Sequence, residues 1–225
     1  MSQHVHQFRL LNAETLEMVR SLLDAAPYVD GKTTATDAAK LVKNNFQVDL
    51  NDRTVLPQLQ QLIGTALVSE PKFNLAFYVS RVYQLLFSKY ETGMGYGWHV
   101  DAPIMGNPAV RTDLAMTIFI DDPSTYEGGE LVIRTDSGER TYKPAAGEVV
   151  VYPCQYVHCV NEVKSGQRRA VVTWMQCAVR SAEQRQILAD LKSMHETMAK
   201  ENPQGKETQL LLQSWSNLLR MWADI

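Results

Sequence analysis

The chain has 225 residues, of which 45% are hydrophobic and 21% are charged, with a net charge of -3 and a pI near 6.0. This length and composition are typical of one globular domain with a full hydrophobic core and room for a small appendage. The slightly negative net charge excludes a dedicated nucleic-acid binder, which would present a basic surface. No apolar run approaches the roughly 18 residues that a membrane helix needs, so no membrane partner is expected. Residues 1–10 lack the apolar stretch of a signal peptide, which predicts a cytoplasmic protein.

Residues 1–77 are predicted to form the N-terminal helical part of the catalytic unit. Asn12 can cap a first helix, whose apolar residues form one stripe and which Pro27 ends. A second helix is predicted over residues 56–68. Between the two helices, residues 28–47 are polar and contain an Asp-Gly pair and a threonine-rich stretch, so a loop that crosses the surface is predicted there.

Residues 78–178 are predicted to form a mainly β core. Short segments rich in β-branched and aromatic residues alternate there with Gly, Pro, Asp and Ser. Many short strands separated by turn signals predict a β-sandwich or a jelly roll, flanked by helices. The predicted strands are residues 82–87, 114–120, 131–133, 149–152 and 170–179.

Residues 179–225 are predicted to form a C-terminal appendage of two helices, separated by Asn202-Pro203-Gln204-Gly205. Two short helices cannot bury their apolar faces on each other alone, so these must dock on the β core or on a second subunit. A homo-oligomer through this helix pair is therefore left open. The apolar faces consist of Ile187, Leu188, Leu191, Met194 and Met198 in the first helix and Leu211, Trp215, Leu218, Leu219 and Trp222 in the second.

His99 and Asp101 lie two residues apart, and a second histidine, His158, follows far along the chain. Two imidazoles and one carboxylate on one face of a metal suit divalent iron and leave the opposite face open for substrate and oxygen. A His-x-Asp pair fits the end of a strand or a tight turn. Three glycines just before the pair allow the backbone to lie close to a ligand. These three residues are therefore predicted as catalytic metal ligands for Fe(II).

Arg168 follows His158 by ten positions and adds a cation that a bare metal site does not need. Its guanidinium can hold a carboxylate with two parallel hydrogen bonds, so triad and arginine together predict an Fe(II)- and 2-oxoglutarate-dependent oxygenase. Arg169 is a rival; since adjacent side chains of a strand point to opposite faces, one arginine enters the pocket and the other meets solvent. The spacing favours Arg168. Tyr90 either donates its hydroxyl to the same carboxylate or is an ordinary strand aromatic.

Two other functions are compatible with the triad. A non-catalytic jelly-roll iron sensor would use the three ligands but would leave Arg168 without a purpose. A zinc hydrolase would also have no use for this arginine and would need a general base near the metal. Glu130 receives no role, and the remaining histidines, His4, His6 and His195, are expected at the surface.

Several segments resemble the PKHD-type hydroxylases, a bacterial branch of the prolyl- and lysyl-hydroxylase-like oxygenases, and the resemblance covers essentially the whole chain. It implies a double-stranded β-helix core, iron(II) held by His99, Asp101 and His158, 2-oxoglutarate held by Arg168, and L-ascorbate as a further cofactor. Prolyl hydroxylases proper commonly have lysine at the Arg168 position, so the charge is kept here and the geometry differs. The segments that carry the resemblance are residues 28–31, 42–45, 96–101, 111–114, 127–131 and 158–168.

The resemblance also implies the reaction, in which molecular oxygen hydroxylates a substrate while 2-oxoglutarate is decarboxylated to succinate. The substrate is left open. The family name suggests a peptidyl proline or lysine, and a family link to iron uptake suggests a small iron-related metabolite. Residues 28–47 and 102–111 are the predicted substrate mouth.

Overall fold

A computed structural model describes residues 5–35 and 37–224. Two antiparallel sheets pack against each other as a jelly roll, and helices cover the outer face of the larger sheet. The predicted fold class, mainly β with flanking helices, is thereby confirmed.

The described part of the chain contains six α-helices and two short 3-10 helices, at Gly31–Thr34 and Pro123–Thr125. The α-helices are α1 (Ala13–Ala25), α2 (Asp37–Val42), α3 (Val55–Ser69), α4 (Pro71–Leu75), α5 (Ala182–Glu201) and α6 (Lys206–Trp222). None of these helices combines the length and the apolarity that crossing a membrane requires.

The strands of the N-terminal half are β1 (His6–Arg9), β2 (Tyr28–Asp30), β3 (Lys43–Asn44), β4 (Phe46–Val48), β5 (Val79–Val82), β6 (Leu86–Tyr90), β7 (Gly95–His99), β8 (Ile104–Met105) and β9 (Val110–Arg111). They are followed by β10 (Leu114–Phe119), β11 (Tyr126–Gly128), β12 (Leu131–Thr135), β13 (Gly138–Tyr142), β14 (Glu148–Pro153), β15 (His158–Val160), β16 (Val163–Gly166) and β17 (Arg168–Cys177). The larger sheet has the order β1-β14-β10-β17-β6-β4-β2, with β5 also paired to β17, and the smaller sheet has the order β13-β12-β15-β7-β3.

Strand β10 shows how the core is divided. Met116 and Ile118 pack against α1 and α3 on the outer face of the larger sheet. Ala115 and Phe119 point the other way and pack against the smaller sheet. This alternation follows from the two-residue period of a strand, and it gives the jelly roll an interior that is separate from the helix-covered core.

The first two predicted helices form where their caps and apolar stripes place them. The Oδ1 atom of Asn12 accepts a hydrogen bond of 2.8 Å from the backbone N–H of Thr15, which fixes the start of α1. Helix α3 begins where the Asp52 carboxylate accepts from the backbone N–H groups of Val55 and Leu56, at 2.6 and 2.7 Å. The predicted helix over residues 56–68 is thus confirmed to within one residue at each end.

The prediction that residues 28–47 form a surface loop is wrong. Strands β2 and β4 extend the larger sheet from β6, and β3 pairs with β7 in the smaller sheet. Lys43, Asn45 and Gln47 are buried because they follow the two-residue strand period and point inward. These three polar residues therefore belong to an interior wall and not to an exposed loop.

Two further predictions need correction. The predicted strand over residues 82–87 is two strands, β5 and β6, and both pair with β17, with residues 83–85 between them. Residues 1–77, predicted as helical, also contribute four strands, and β1 pairs with β14 at the far edge of the larger sheet. The proposed domain boundaries at residues 77 and 178 stay predictions.

The C-terminal helix pair docks on the β core. Leu188 of α5 packs with Tyr78 and Val179, and the indole N–H of Trp215 in α6 donates a hydrogen bond of 3.3 Å to the Tyr78 hydroxyl. The predicted apolar face of α5 is buried only in part, since Ile187 and Met194, two of its predicted members, are exposed.

Candidate active site

The structure brings His99, Asp101 and His158 together at the β7–β15 pairing. His99 and His158 are direct partners across the two strands, and Asp101 follows two residues after the end of β7. One ligand atom from each side chain lies within 4.8 Å of the others, and the His158 Nε2 to Asp101 Oδ2 distance is 3.8 Å. The three predicted ligands therefore form one cluster with the composition of a divalent metal site.

Backbone carbonyls hold both imidazoles through Nδ1. His99 Nδ1 lies 2.7 Å from the Gly97 carbonyl oxygen, and His158 Nδ1 lies 3.0 Å from that of Tyr156. A carbonyl oxygen can only accept, so each Nδ1 carries a proton, and Nε2 is the ring nitrogen left to bind a metal. The Tyr96 ring stacks on the His99 ring at a centroid distance of 3.7 Å and restricts its rotation.

The electrostatics of the cluster favour a bound cation. Burial, followed by the charge of His158, lowers the pKa of His99 to about 3, so this imidazole is neutral at physiological pH. Burial raises the pKa of Asp101, against the opposing effects of His158, Trp174 and Lys43. The Asp101 Oδ2 atom is buried and has no hydrogen-bond partner among the described residues. A buried unpaired carboxylate oxygen is destabilising, so these residues fit a divalent metal that would satisfy it.

A cavity of about 420 Å³ adjoins the three side chains, a size typical of small-molecule sites. Both sheets contribute walls to it, and Tyr90 and Arg168 lie on the wall of the larger sheet. Residues 33–35 and 104–106 also line it. Both segments predicted as the substrate mouth, residues 28–47 and 102–111, therefore contribute to this cavity.

Arg168 is buried in the cavity wall without a counterion among the described residues. It is 1% exposed, and its Nε and Nη2 atoms have no hydrogen-bond partner in the described part of the chain. Its Cζ atom lies 5.0 Å from the Tyr90 ring centroid and 5.2 Å from that of Phe119, so aromatic faces surround it. Since buried guanidinium groups are normally paired, this arrangement is suited to an anionic ligand that enters from the cavity.

The prediction that Arg169 meets solvent is wrong. Arg169 points to the helix-covered face, as strand alternation requires, but it is buried there. Its guanidinium pairs with Asp121, at 2.7 Å from Nη2 to Oδ1, and with Asp24 of α1, at 2.5 Å from Nη1 to Oδ1. The neighbouring arginines therefore differ in partner: Arg169 has two carboxylates, and Arg168 has none among the described side chains.

Tyr90 lies directly opposite Arg168 in the β6–β17 pairing and lines the cavity. Burial raises the pKa of its phenol, and Arg168 and Asn45 oppose that shift. Tyr90 is thus a wall aromatic whose hydroxyl group belongs to the same cavity as the guanidinium, and its binding of a carboxylate stays a prediction.

Sequence reasoning missed three polar groups at the site. Lys43 is buried in the cavity wall, and the alternation of Lys43 with Asn45 was the signal that could have found it. The Trp174 indole N–H, close to Asp101, and the Tyr126 hydroxyl, close to Arg168, are both buried without a hydrogen-bond partner among the described residues. No local pattern distinguishes these two aromatics from ordinary core residues.

The remaining polar candidates lie outside the cavity. His6 and His195 are half-buried and not at the surface as expected, and the His6 ring packs edge-on against Phe77 at 5.0 Å. The Glu130 carboxylate accepts a hydrogen bond of 3.0 Å from the Asn161 side chain. His4 lies outside the described residues.

Comparison of the sequence with known proteins finds similarity over nearly the whole chain. The sequence profile of the 2OG-Fe(II) oxygenase superfamily matches residues 85–176. A PKHD-type hydroxylase of Rippkaea orientalis is 40% identical, over 95% of this chain and 96% of that protein. A PKHD-type hydroxylase of Thioalkalivibrio sulfidiphilus is also 40% identical, over 96% and 97% of the two chains.

Solved structures of low sequence identity share the fold. A Pseudomonas putida prolyl-4-hydroxylase is 17% identical and superposes with a TM-score of 0.53, over 77% of this chain and 93% of that chain. A Trichoplax adhaerens prolyl hydroxylase, solved with a hypoxia inducible factor peptide fragment, is 12% identical with a TM-score of 0.56, over 84% and 88% of the chains. Both likenesses agree with the jelly roll described above.

Proposed function

The chain belongs to the PKHD-type hydroxylases, within the 2OG-Fe(II) oxygenase superfamily, and on that premise we propose that His99, Asp101 and His158 bind the iron and Arg168 binds 2-oxoglutarate. The chain is accordingly an enzyme, an Fe(II)- and 2-oxoglutarate-dependent hydroxylase. When bound, Fe(II) and 2-oxoglutarate supply the oxidising chemistry, in which O₂ hydroxylates a C–H bond and 2-oxoglutarate becomes succinate and carbon dioxide.

The observation that carries this proposal is the buried, unpaired guanidinium of Arg168 in the same cavity as the three metal ligands. A guanidinium without a counterion is destabilising in a protein interior. 2-Oxoglutarate has a keto-acid end that can chelate a metal and a distal carboxylate that Arg168 can bind through two donors. A non-catalytic iron sensor would leave this arginine without a partner.

The other residues of the site position these groups and exclude water. The two imidazoles would bind a metal through Nε2, because their Nδ1 atoms contact backbone carbonyls. The rings of Tyr90 and Phe119 shield the Arg168 guanidinium from water. An ion pair is stronger in such a low-dielectric wall than in solvent.

The substrate is proposed to be a peptidyl proline or lysine, or a small iron-related metabolite, with O₂ as the second partner. L-Ascorbate as a cofactor, a cytoplasmic location, the absence of a nucleic-acid partner and a homo-oligomer through α5 and α6 stay predictions.

Anaerobic titration of the Fe(II)-loaded protein with 2-oxoglutarate tests the proposal. Chelation by the keto acid is expected to produce a metal-to-ligand charge-transfer band in the visible spectrum. If iron binds and no band develops, the protein is an iron binder of the sensor type. Arg168→Met is expected to require a much higher 2-oxoglutarate concentration for the same band.

A further inference from the structure

Lys43 is a second buried cation in the cavity that holds the triad and Arg168. It is 5% exposed, and its Nζ atom donates a hydrogen bond of 3.0 Å to the Thr34 hydroxyl. The same atom lies 5.4 Å from the Tyr96 ring centroid. The ion pairs formed by lysines in the described part of the chain all belong to other lysines. Lys43 therefore has free donor capacity and no ion-pair partner within 4.0 Å among the described residues.

Residues 28–31 and 42–45 carry part of the family resemblance, and the proposed function leaves them unexplained. Contacts of these two segments fix the position of Lys43. The backbone N–H of Gly31 donates to the Asn45 carbonyl at 2.9 Å, and a Cβ atom on Gly31 would overlap the Asn45 side chain. On its other side, β3 pairs Lys43 directly with Tyr96 of the strand that carries His99. The cation is therefore held between a close-packed turn and the metal-bearing strand.

A buried lysine in this position is unfavourable without an anion. Burial lowers the pKa of Lys43 to about 8, although Asp30 and Asp101 raise it, so the side chain stays charged near neutral pH. A divalent metal would neutralise much of the charge of Asp101. The attraction between Asp101 and Lys43, which partly offsets the cost of burying the lysine, would then weaken. An anion of a bound ligand would be the remaining group that could neutralise the Lys43 charge.

The charges of 2-oxoglutarate are already assigned to other groups. Under the proposed function, its keto-acid end binds the metal and its distal carboxylate binds Arg168. An anion at Lys43 would then come from the primary substrate. Val100 and Ile104 line the same cavity as Lys43 and are 49% and 64% exposed, so part of the cavity opening is apolar.

We propose that Lys43 binds a carboxylate of the primary substrate, and that the apolar part of that substrate lies against Val100 and Ile104. This inference rests on the proposed function, since it uses the assignment of 2-oxoglutarate to Arg168. It makes Lys43 a specificity-determining residue and the substrate class an apolar carboxylic acid, either a small molecule or the C-terminus of a peptide.

The test uses full-length protein loaded with Mn(II) and 2-oxoglutarate, which prevents turnover. Two probes of equal shape, cyclopentanecarboxylate and cyclopentanecarboxamide, are titrated, and the paramagnetic relaxation of their protons reports affinity and closeness to the metal. A charge-assisted hydrogen bond predicts that the wild type prefers the acid by about 10- to 100-fold. N-acetyl-alanyl-leucine and its amide, measured in the same way, distinguish a peptide C-terminus from a small acid.

Lys43→Met is expected to abolish the preference for the acid, and Lys43→Arg to retain most of it. Lys89→Met is the matched control, because Lys89 is a half-buried lysine outside the cavity, paired with Glu91. The control is expected to keep the wild-type preference. Methionine is close to lysine in shape and removes a buried charge, so Lys43→Met is expected to fold.

Three results would overturn the proposal. The first is a wild-type protein that binds acid and amide equally or binds neither. The second is a Lys43→Met variant that keeps the wild-type preference for the acid. The third is a loss of 2-oxoglutarate affinity in Lys43→Met as large as in Arg168→Met, which would place Lys43 in the co-substrate site. The charge-transfer band of the wild type with Fe(II) and 2-oxoglutarate reports separately on the proposed function.

Discussion

His99 and His158 are direct partners across the β7–β15 pairing, with ring centroids 4.3 Å apart, and a backbone carbonyl holds each ring through Nδ1. The sheet and its carbonyls therefore orient these imidazoles. Removal of a ligand should change metal affinity far more than it changes the fold.

His99→Ala, Asp101→Ala and His158→Ala are each expected to lower Fe(II) affinity by more than about 100-fold, since loss of a group that merely orients a ligand already costs 10- to 100-fold. The thermal midpoint of the metal-free proteins should change little. Anaerobic calorimetry with Fe(II) measures the affinity, and His195→Ala serves as the control. Near-native affinity in any one variant would remove that residue from the ligand set.

Arg168→Ala is expected to weaken 2-oxoglutarate binding by about 10- to 1000-fold and to leave Fe(II) affinity within a few-fold. The reason is the loss of a charge-assisted bond to a buried carboxylate, which also leaves that carboxylate unpaired. Titration of the charge-transfer band measures the effect.

Arg169→Ala is the control for the assignment of Arg168, and not its neighbour Arg169, as the arginine that points into the cavity. It should leave 2-oxoglutarate affinity unchanged and destabilise the fold by about 3–5 kcal/mol, because it leaves the buried Asp121 carboxylate without its partner. Chemical denaturation measures that loss. A larger loss of co-substrate affinity in Arg169→Ala than in Arg168→Ala would contradict the assignment.

Gly129→Ala is expected to weaken 2-oxoglutarate binding by disturbing Arg168. Gly129 has a φ of +67°, and a Cβ atom there would lie 2.9 Å from Arg168 Cδ. Gly138→Ala is a matched control, because Gly138 also has a positive φ, +106°, but no atom within 4 Å of the added Cβ. Both variants should lose about 1 kcal/mol of stability from backbone strain, and equal co-substrate affinities in the two would refute the steric argument.

Lys43→Met is expected to raise the free energy of unfolding of the ligand-free protein, with a characteristic pH dependence. The pKa of Lys43 is about 8 in the folded protein and 10.5 in the reference state. Between pH 8 and 10.5 the unfolded wild type binds more protons than the folded wild type, so the free energy of unfolding of the wild type rises with pH. The difference in free energy of unfolding between Lys43→Met and the wild type should therefore be constant below pH 8 and decrease from pH 8 to 10.5. Urea denaturation of both proteins across this range measures it, and a pH-independent difference would show that Lys43 is not buried as a cation.

Truncation after Arg180 is expected to expose Tyr78 and Val179, which the C-terminal helices cover, and to lower solubility or change the oligomeric state.

His195→Ala should leave uncoupled 2-oxoglutarate turnover unchanged, because His195 lies on α5 outside the cavity. Loss of turnover in this variant, with iron content and folding preserved, would show that α5 contributes to the active site.

Local patterns were sufficient to predict much of the core and the three residues that form the candidate metal site. The strands over residues 114–120 and 149–152 were predictable because short β-branched runs between turn residues depend on neighbours in the chain. The choice of Arg168 over Arg169 followed from strand alternation together with the spacing to His158. Residue type alone indicated a metal for His99, Asp101 and His158.

Contacts between distant parts of the chain decided the rest. Arg169 is buried because Asp24 and Asp121, 145 and 48 residues away, meet it, and no local pattern reports such a pair. The polar composition of residues 28–47 predicts exposure when only the sequence is considered. In the structure, β2 and β4 join the larger sheet and β3 joins the smaller sheet, which buries Lys43. Periodicity determines which way a side chain points from its own strand, whereas the partner that covers it is set by long-range strand pairing, and only the tertiary structure contains that information.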